Sequence, residues 1–212
     1  MLRPTLAALT ALAAAALALP VVAVHAQDLP STAAAPAWPP KMVQLIHTAR
    51  PGGFFGYNGA DLFAEQQVAE RFSVPADGDL RLFRVSLWFM NNSDSQQADV
   101  NVSVQTDALD EGGDASIPSG HRIEAWTRPV ATYGWTPVRQ QFTSDRLPRL
   151  KAGHAYWVVA QSNAEAGSDP LWAFSKVGTQ MSCYTDANGA WQACGEAAAL
   201  TLEVQALPLT RP

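Results

Sequence analysis

Residues 155–160, Ala-Tyr-Trp-Val-Val-Ala, constrain this chain more than any other stretch, because they are apolar on both parities. Successive side chains of a strand point to opposite faces, so a strand of this kind is covered on both sides and belongs at the centre of a sheet. The turn Lys151-Ala152-Gly153 introduces it. Other runs are one-sided. Leu80 to Met90 sets Phe83, Val85, Leu87 and Phe89 against Arg84, Ser86, Trp88 and Met90. Val100, Val102 and Val104 alternate with Asn101, Ser103 and Gln105, and Leu200, Leu202 and Val204 with Thr201, Glu203 and Gln205. Residues 42–47, 121–127, 137–143 and 171–175 are further candidate strands, and Asp61 to Glu70 is suited to one short helix capped by Asp61. About ten short strands with regular turn signals predict an all-β fold, a β-sandwich or jelly roll of antiparallel strands around the central one.

Val68 to Val74 also alternates, with Glu70 on the parity of Val68, Phe72 and Val74. Either the register slips by one here, the reading adopted, or a carboxyl group is buried for a functional reason.

Residues 1–26 have Arg3, an Ala/Leu run from Leu6 to Leu19 ended by Pro20, and Val24-His25-Ala26 before a cleavage point at Gln27. This is the pattern of a secretory signal peptide, with an apolar run too short to span a bilayer. Removing 26 of 212 residues leaves 186, enough for one domain with a full core. The expected organisation is a Pro/Ala-rich linker at 27–41, a sandwich domain at 42–207 and a tail at 208–212, in an exported protein of the periplasm or the medium. The remaining 13 basic and 19 acidic residues include no basic run, which argues against nucleic acid as a partner. No apolar segment after the leader is long enough for a membrane-spanning helix.

Export makes a disulfide the default for the two cysteines, Cys183 and Cys194. Asn188-Gly189 is a strong signal for a two-residue type I′ hairpin. Centring the turn there sets Asp186 opposite Trp191 and Cys183 opposite Cys194, within bridging reach.

Signs of catalysis are sparse. No Gly-x-Ser-x-Gly is present, and His47, His121 and His154 have no metal-ligand spacing to another His or Cys. A hydrolase would need paired carboxylates, for which Glu70, Glu124 and Glu203 are the strand-borne candidates. Asp110, Glu111 and Asp114 on an acidic Gly-rich loop, 107–120, are weak candidates for Ca²⁺ and lack EF-hand spacing. No other cofactor is expected. The stronger signal is aromatic. Trp88, Trp126, Tyr133 and Trp135 fall on or near polar-faced strands and loops, with Arg84, Asn101 and Gln105 as polar neighbours. A ring on a wet sheet face is suited to stacking on a sugar or on another protein.

Phe72-Ser73-Val74, Val85-Ser86-Leu87-Trp88, Glu124-Ala125-Trp126 and the run Leu150-Lys151-Ala152-Gly153-His154-Ala155-Tyr156-Trp157-Val158-Val159 together resemble a known pattern. It is that of the secreted bacterial jelly-roll domains grouped as choice-of-anchor families. The resemblance covers the block from Ala69 to Ala173 and rests on core and turn residues. It implies a fold similar to the galactose-binding-like jelly roll, which often binds carbohydrate; it implies no catalytic residues. Many members end in an anchor or sorting tail, a pattern not found in residues 207–211, so a soluble periplasmic or released protein is expected. The resulting expectation is an exported, non-catalytic binding module for a glycan or a cell-surface partner. The alternatives are a structural or protein-interaction role in the periplasm or envelope, and a glycan hydrolase with unrecognised carboxylates, for which loss of turnover on replacing Glu124 would be the support.

Overall fold

The computed structural model describes residues 41–209 except 53–57, 92–97, 111, 131–133, 168–169, 179–181, 187 and 196–198. The leader and nearly all of the linker lie outside the described residues.

The described chain is all-β and forms two antiparallel sheets. One has the order β1 (Val43–His47), β13 (Leu202–Pro208), β4 (Leu80–Asn91), β10 (Leu171–Ala173) and β2 (Gly59–Asp61), with β7 (Gly134–Thr143) and β8 (Arg149–Leu150) also paired to β4. The other runs β12 (Trp191–Gly195), β11 (Ser182–Thr185), β3 (Val68–Ser73), β9 (Ala155–Ser162), β5 (Ala98–Leu109) and β6 (Ser116–Val130). Val85, Leu87 and Phe89 of the first sheet and Phe72, Val102 and Val158 of the second belong to one buried core, a sandwich-like arrangement.

The strand that is apolar on both parities occupies the predicted central position, as β9, paired to β3 on one side and β5 on the other. Its even face (Tyr156, Val158, Ala160) enters the core between the sheets. Its odd face (Trp157, Val159) packs with Ala69, Cys183 and Trp191 in a second cluster on the opposite side of the same sheet. Trp157 is fully buried there because the sheet curls: β12, at one end of the strand order, comes back near β6 at the other.

Three sequence expectations change. Asp61 to Glu70 forms no helix. Leu62 is drawn into the core, its N–H donating to Pro170 O, and Gln66 Nε2 donates to Asp61 O across a tight turn. Secondly, Phe83 is not in the core. The β4–β13 register shifts between Arg84↔Gln205 and Leu82↔Ala206, a bulge that turns Leu82 and Leu80 inward and leaves Phe83 half-buried under the Arg84 guanidinium. Thirdly, the hairpin is not a two-residue turn. Asp186 N–H donates to Ala190 O, Thr185 pairs with Trp191, and Gly189 takes φ 80°, the left-handed residue of a longer loop. A register shift between Ser182↔Gly195 and Tyr184↔Gln192 places Cys183 at the bulge rather than in a simple cross-strand pair. The side chain of Cys194 lies outside the described residues.

The bulge gives a direct test of register. Phe89→Ala should destabilise the protein by about 3–5 kcal/mol, the range for emptying a buried Phe site. Phe83→Ala should cost about 1 kcal/mol or less, as for a partly exposed position. Equal losses in chemical denaturation would restore the unbroken alternation.

Candidate binding cleft

A cleft of about 560 Å³ opens at one end of the six-stranded sheet. Arg71 and Ser73 from the end of β3, Thr106 and Asp107 from β5, His121 and Ile123 from β6, and Ala155 and Tyr156 from the start of β9 line it. Arg149, Lys151, Gly153 and His154 from β8 and the following turn complete the wall.

Local chemistry fixes each wall. In the β8–β9 turn Gly153 adopts φ 72°, open to glycine at no steric cost, and its Cβ position faces open space. Ala152 N–H donates to Asp79 Oδ1 at 2.8 Å, and Lys151 N–H to Tyr156 Oη at 2.8 Å. The turn that presents Lys151 and His154 is therefore pinned at two points. The Ala152 amide and the Arg149 guanidinium together hold the Asp79 carboxyl below its usual range. On the β5–β6 side, Gly120 N–H donates to Gln105 Oε1 at 2.9 Å and Thr106 bonds Ser119 through their hydroxyls at 2.6 Å, which steadies the strand carrying His121.

Asp107 joins the cleft to the second cluster. Its Oδ1 accepts from Trp157 Nε1 at 2.7 Å and from the Ser116 hydroxyl, and it lies 3.5 Å from Arg71 Nε. Arg71 Nε also donates to Ser116 Oγ at 3.0 Å. These bonds use only Nε of Arg71, so its two terminal nitrogens are uncommitted among the described residues. Lys151, His121 and His154 likewise make no side-chain hydrogen bond or ion pair among the described residues.

The residues singled out by sequence do not converge. Trp88 and Arg84 share the outer face of the seven-stranded sheet. Arg139 lies over the Trp88 ring with its guanidinium carbon 5.4 Å from the centroid, and it also bonds Glu203 Oε2 and Ser86 Oγ. Arg84 is held by Gln205 Oε1 at 2.6 Å. That face is largely satisfied by its own side chains. Trp126 is not on a wet face. It packs on Phe142 with ring centroids 5.7 Å apart, and its Nε1 donates to Thr143 O at 3.0 Å. Asn101 lies on the six-stranded sheet, bonded to Thr127 Oγ1, in a small depression of about 70 Å³ away from Trp88. Gln105 is buried, bonding Ser103 Oγ. Tyr133 and the side chain of Trp135 lie outside the described residues.

The carboxylates are accounted for. Burial opposes the charge of Glu124, but two bonds from Arg146 and one from Ser144 outweigh it and hold the acid below the usual range. These contacts tie β6 to the segment after β7, which bridges the two sheets. Glu203 is paired with Arg139. In the acidic loop Asp110 Oδ1 accepts from the Asp114 and Ala115 amides, and Asp107 belongs to β5. Glu111 is outside the described residues, and no cluster of three metal-ligating side chains occurs among the described residues.

Glu70 is the correction with the largest physical consequence. The β3–β9 pairing runs without a slip from Val68 to Ser73, so no register error exists and Glu70 points into the core. Its Oε2 accepts from Leu200 N–H at 3.2 Å, while its Oε1 has no hydrogen-bond partner among the described residues. Burial pushes its pKa up to about 9, against the Leu200 bond that lowers it.

No family model matches the sequence, and neither does any curated protein sequence. The cleft residues escape sequence reading because 71, 106–107, 121 and 149–156 meet only through strand pairing. The usable signal was that two of the three histidines after the leader, His121 and His154, each stand at the start of a candidate strand.

Glu70 makes stability pH-dependent with a defined sign. Below about pH 4.5 the group is protonated in both states. Between there and about 9 it ionises only when unfolded, so its contribution declines as pH rises. Urea unfolding at pH 5 and pH 8 should therefore show wild type losing stability relative to Glu70→Gln, by up to roughly 1.4 kcal/mol per pH unit. Parallel pH dependences in the two proteins would mean that Glu70 is not buried as an acid.

Proposed function

We propose that this chain is an exported, non-catalytic binding module of the jelly-roll type, and that the cleft at the end of the six-stranded sheet takes a glycan. The observation that carries this reading is the make-up of the cleft wall. Strand ends and a pinned turn from distant parts of the chain present nitrogen donors uncommitted among the described residues, beside the apolar surface of Ile123. Hydroxylated rings need that mixture, since their edges hydrogen-bond and their faces pack. A non-catalytic role is supported by the acids: Glu124 and Glu203 are tied to arginines, and Glu70 sits in the core. The leader-like pattern of residues 1–26 supports export to the periplasm or medium.

The same reading includes a Cys183–Cys194 disulfide. Cys183 lies on β11 and Cys194 on the adjacent β12, and a bulge allows the one-residue adjustment that a bridge needs. It would fasten β12 to the hairpin that closes over Trp157.

Two measurements test these proposals. Calorimetric titration with neutral and charged oligosaccharides should show saturable binding to at least one. That binding should weaken about tenfold in His154→Ala, the scale of one lost polar contact, and persist in Trp88→Ala. Loss in Trp88→Ala instead would move the site to the other sheet, and no binding across the set would remove the glycan reading. For the disulfide, the intact mass of protein recovered from an oxidising compartment should rise by two hydrogens on reduction. An unchanged mass would remove the bridge.

A further inference from the structure

The wall of the cleft is unbalanced in charge in a way that specifies its ligand more closely. Arg71, Arg149 and Lys151 line it against one carboxylate, Asp107, in a chain whose formal net charge is −5. Asp107 is already offset in part, because Oδ1 is engaged by Trp157, Ser116 and Arg71. Arg149 is satisfied by Asp79. Among the described residues, the nitrogen groups of the wall left without a hydrogen bond or direct ion pair are the terminal nitrogens of Arg71, Lys151 Nζ and the imidazoles of His121 and His154. Lys151 makes no direct ion pair among the described residues and acts on Asp79 only at a distance, the contact there being made by Arg149, and Arg71 is held by Nε in the orientation that leaves its outer fork unengaged.

Rivals elsewhere are weaker. Arg128 and Arg139 border an open depression of about 770 Å³ along β7. Arg139 is committed to Glu203, and Arg128 lies against the Phe142 ring with its guanidinium carbon 5.5 Å from the centroid. Arg128 makes no ion pair among the described residues, but it borders an open depression rather than a walled cleft.

We propose that the cleft is an oxyanion site: it recognises a carboxylate or sulfate group borne on the glycan, through Lys151, the outer nitrogens of Arg71, His121 and His154. Guanidinium and ammonium donors favour such groups because charge-assisted hydrogen bonds to them are the strong ones, and the planar fork of Arg71 matches their geometry. This rests on the glycan-binding reading above and sharpens it to acidic glycans.

The test titrates the full-length mature protein with oligogalacturonate, its methyl ester, and a sulfated galactan oligosaccharide of similar length, at low salt. The free acid or the sulfated oligomer should bind at least about tenfold tighter than the ester, and which of them does so identifies the anion. In Lys151→Gln that ratio should fall toward one. Lys151 is exposed and makes no side-chain hydrogen bond or direct ion pair among the described residues, so folding should survive, and thermal unfolding of the variant checks this. Equal binding of acid and ester would overturn the oxyanion site while leaving a glycan module. Anion-dependent binding unchanged in both Lys151→Gln and His154→Gln would place the anion elsewhere and overturn the proposal. Failure of all three oligosaccharides to bind would count against both readings.

Discussion

The indole of Trp157 is the element on which the rest of the six-stranded sheet depends. A side chain on the outer face of a sheet ordinarily meets water. Here β12 curls back toward β6, and Ala69, Val159, Cys183 and Trp191 close around the ring. Burying an indole removes its N–H from water, so the ring needs a partner, and Asp107 supplies it at 2.7 Å. That carboxylate then attracts Arg71, and Arg71 turns one edge into the cleft. One part-buried hydrogen bond thus connects the second hydrophobic cluster to the wall of the candidate site.

Charge is used differently on the two sheets. On the outer face of the seven-stranded sheet, Arg84, Arg139, Glu203, Gln205 and Ser86 satisfy one another, and Trp88 lies under a guanidinium. Between the sheets, Glu124 with Arg146 and Ser144 fastens β6 to the chain beyond β7. Both arrangements consume their polar valence internally. The cleft does not, and this contrast, rather than its size, marks it as a place for a ligand. The depression along β7 is larger but more open; Arg139 there is paired with Glu203 and Arg128 lies against the Phe142 ring.

Much of the architecture was legible in alternation. The two-sided run at 155–160 became the central β9, and the one-sided runs became strands with one face in the core. Alternation also placed Glu70 on the core face, and the structure agrees with the pattern rather than with the suspicion of a slip. What alternation could not reveal was the bulge at Phe83, since Leu80, Leu82 and Phe83 are all apolar and either parity reads as buried. The curl of the sheet was equally hidden, because it depends on how strand ends far apart in sequence approach. For the same reason the aromatic signal misled. Trp126 had the composition of an exposed platform, but Phe142 and the Thr143 carbonyl, on a strand whose pairing no sequence pattern states, take up both its face and its donor. The cleft was invisible because its residues come from separate strands and a turn, each unremarkable alone.

The most direct test of the central claim is residue-resolved amide chemical-shift mapping of the mature protein with a bound oligosaccharide. The account predicts perturbations concentrated at 71–73, 105–107, 119–123 and 149–156, extending to the indole N–H of Trp157 through Asp107. Perturbations centred instead on 84–88 and 139–141, with that indole unmoved, would contradict it and place recognition on the opposite sheet.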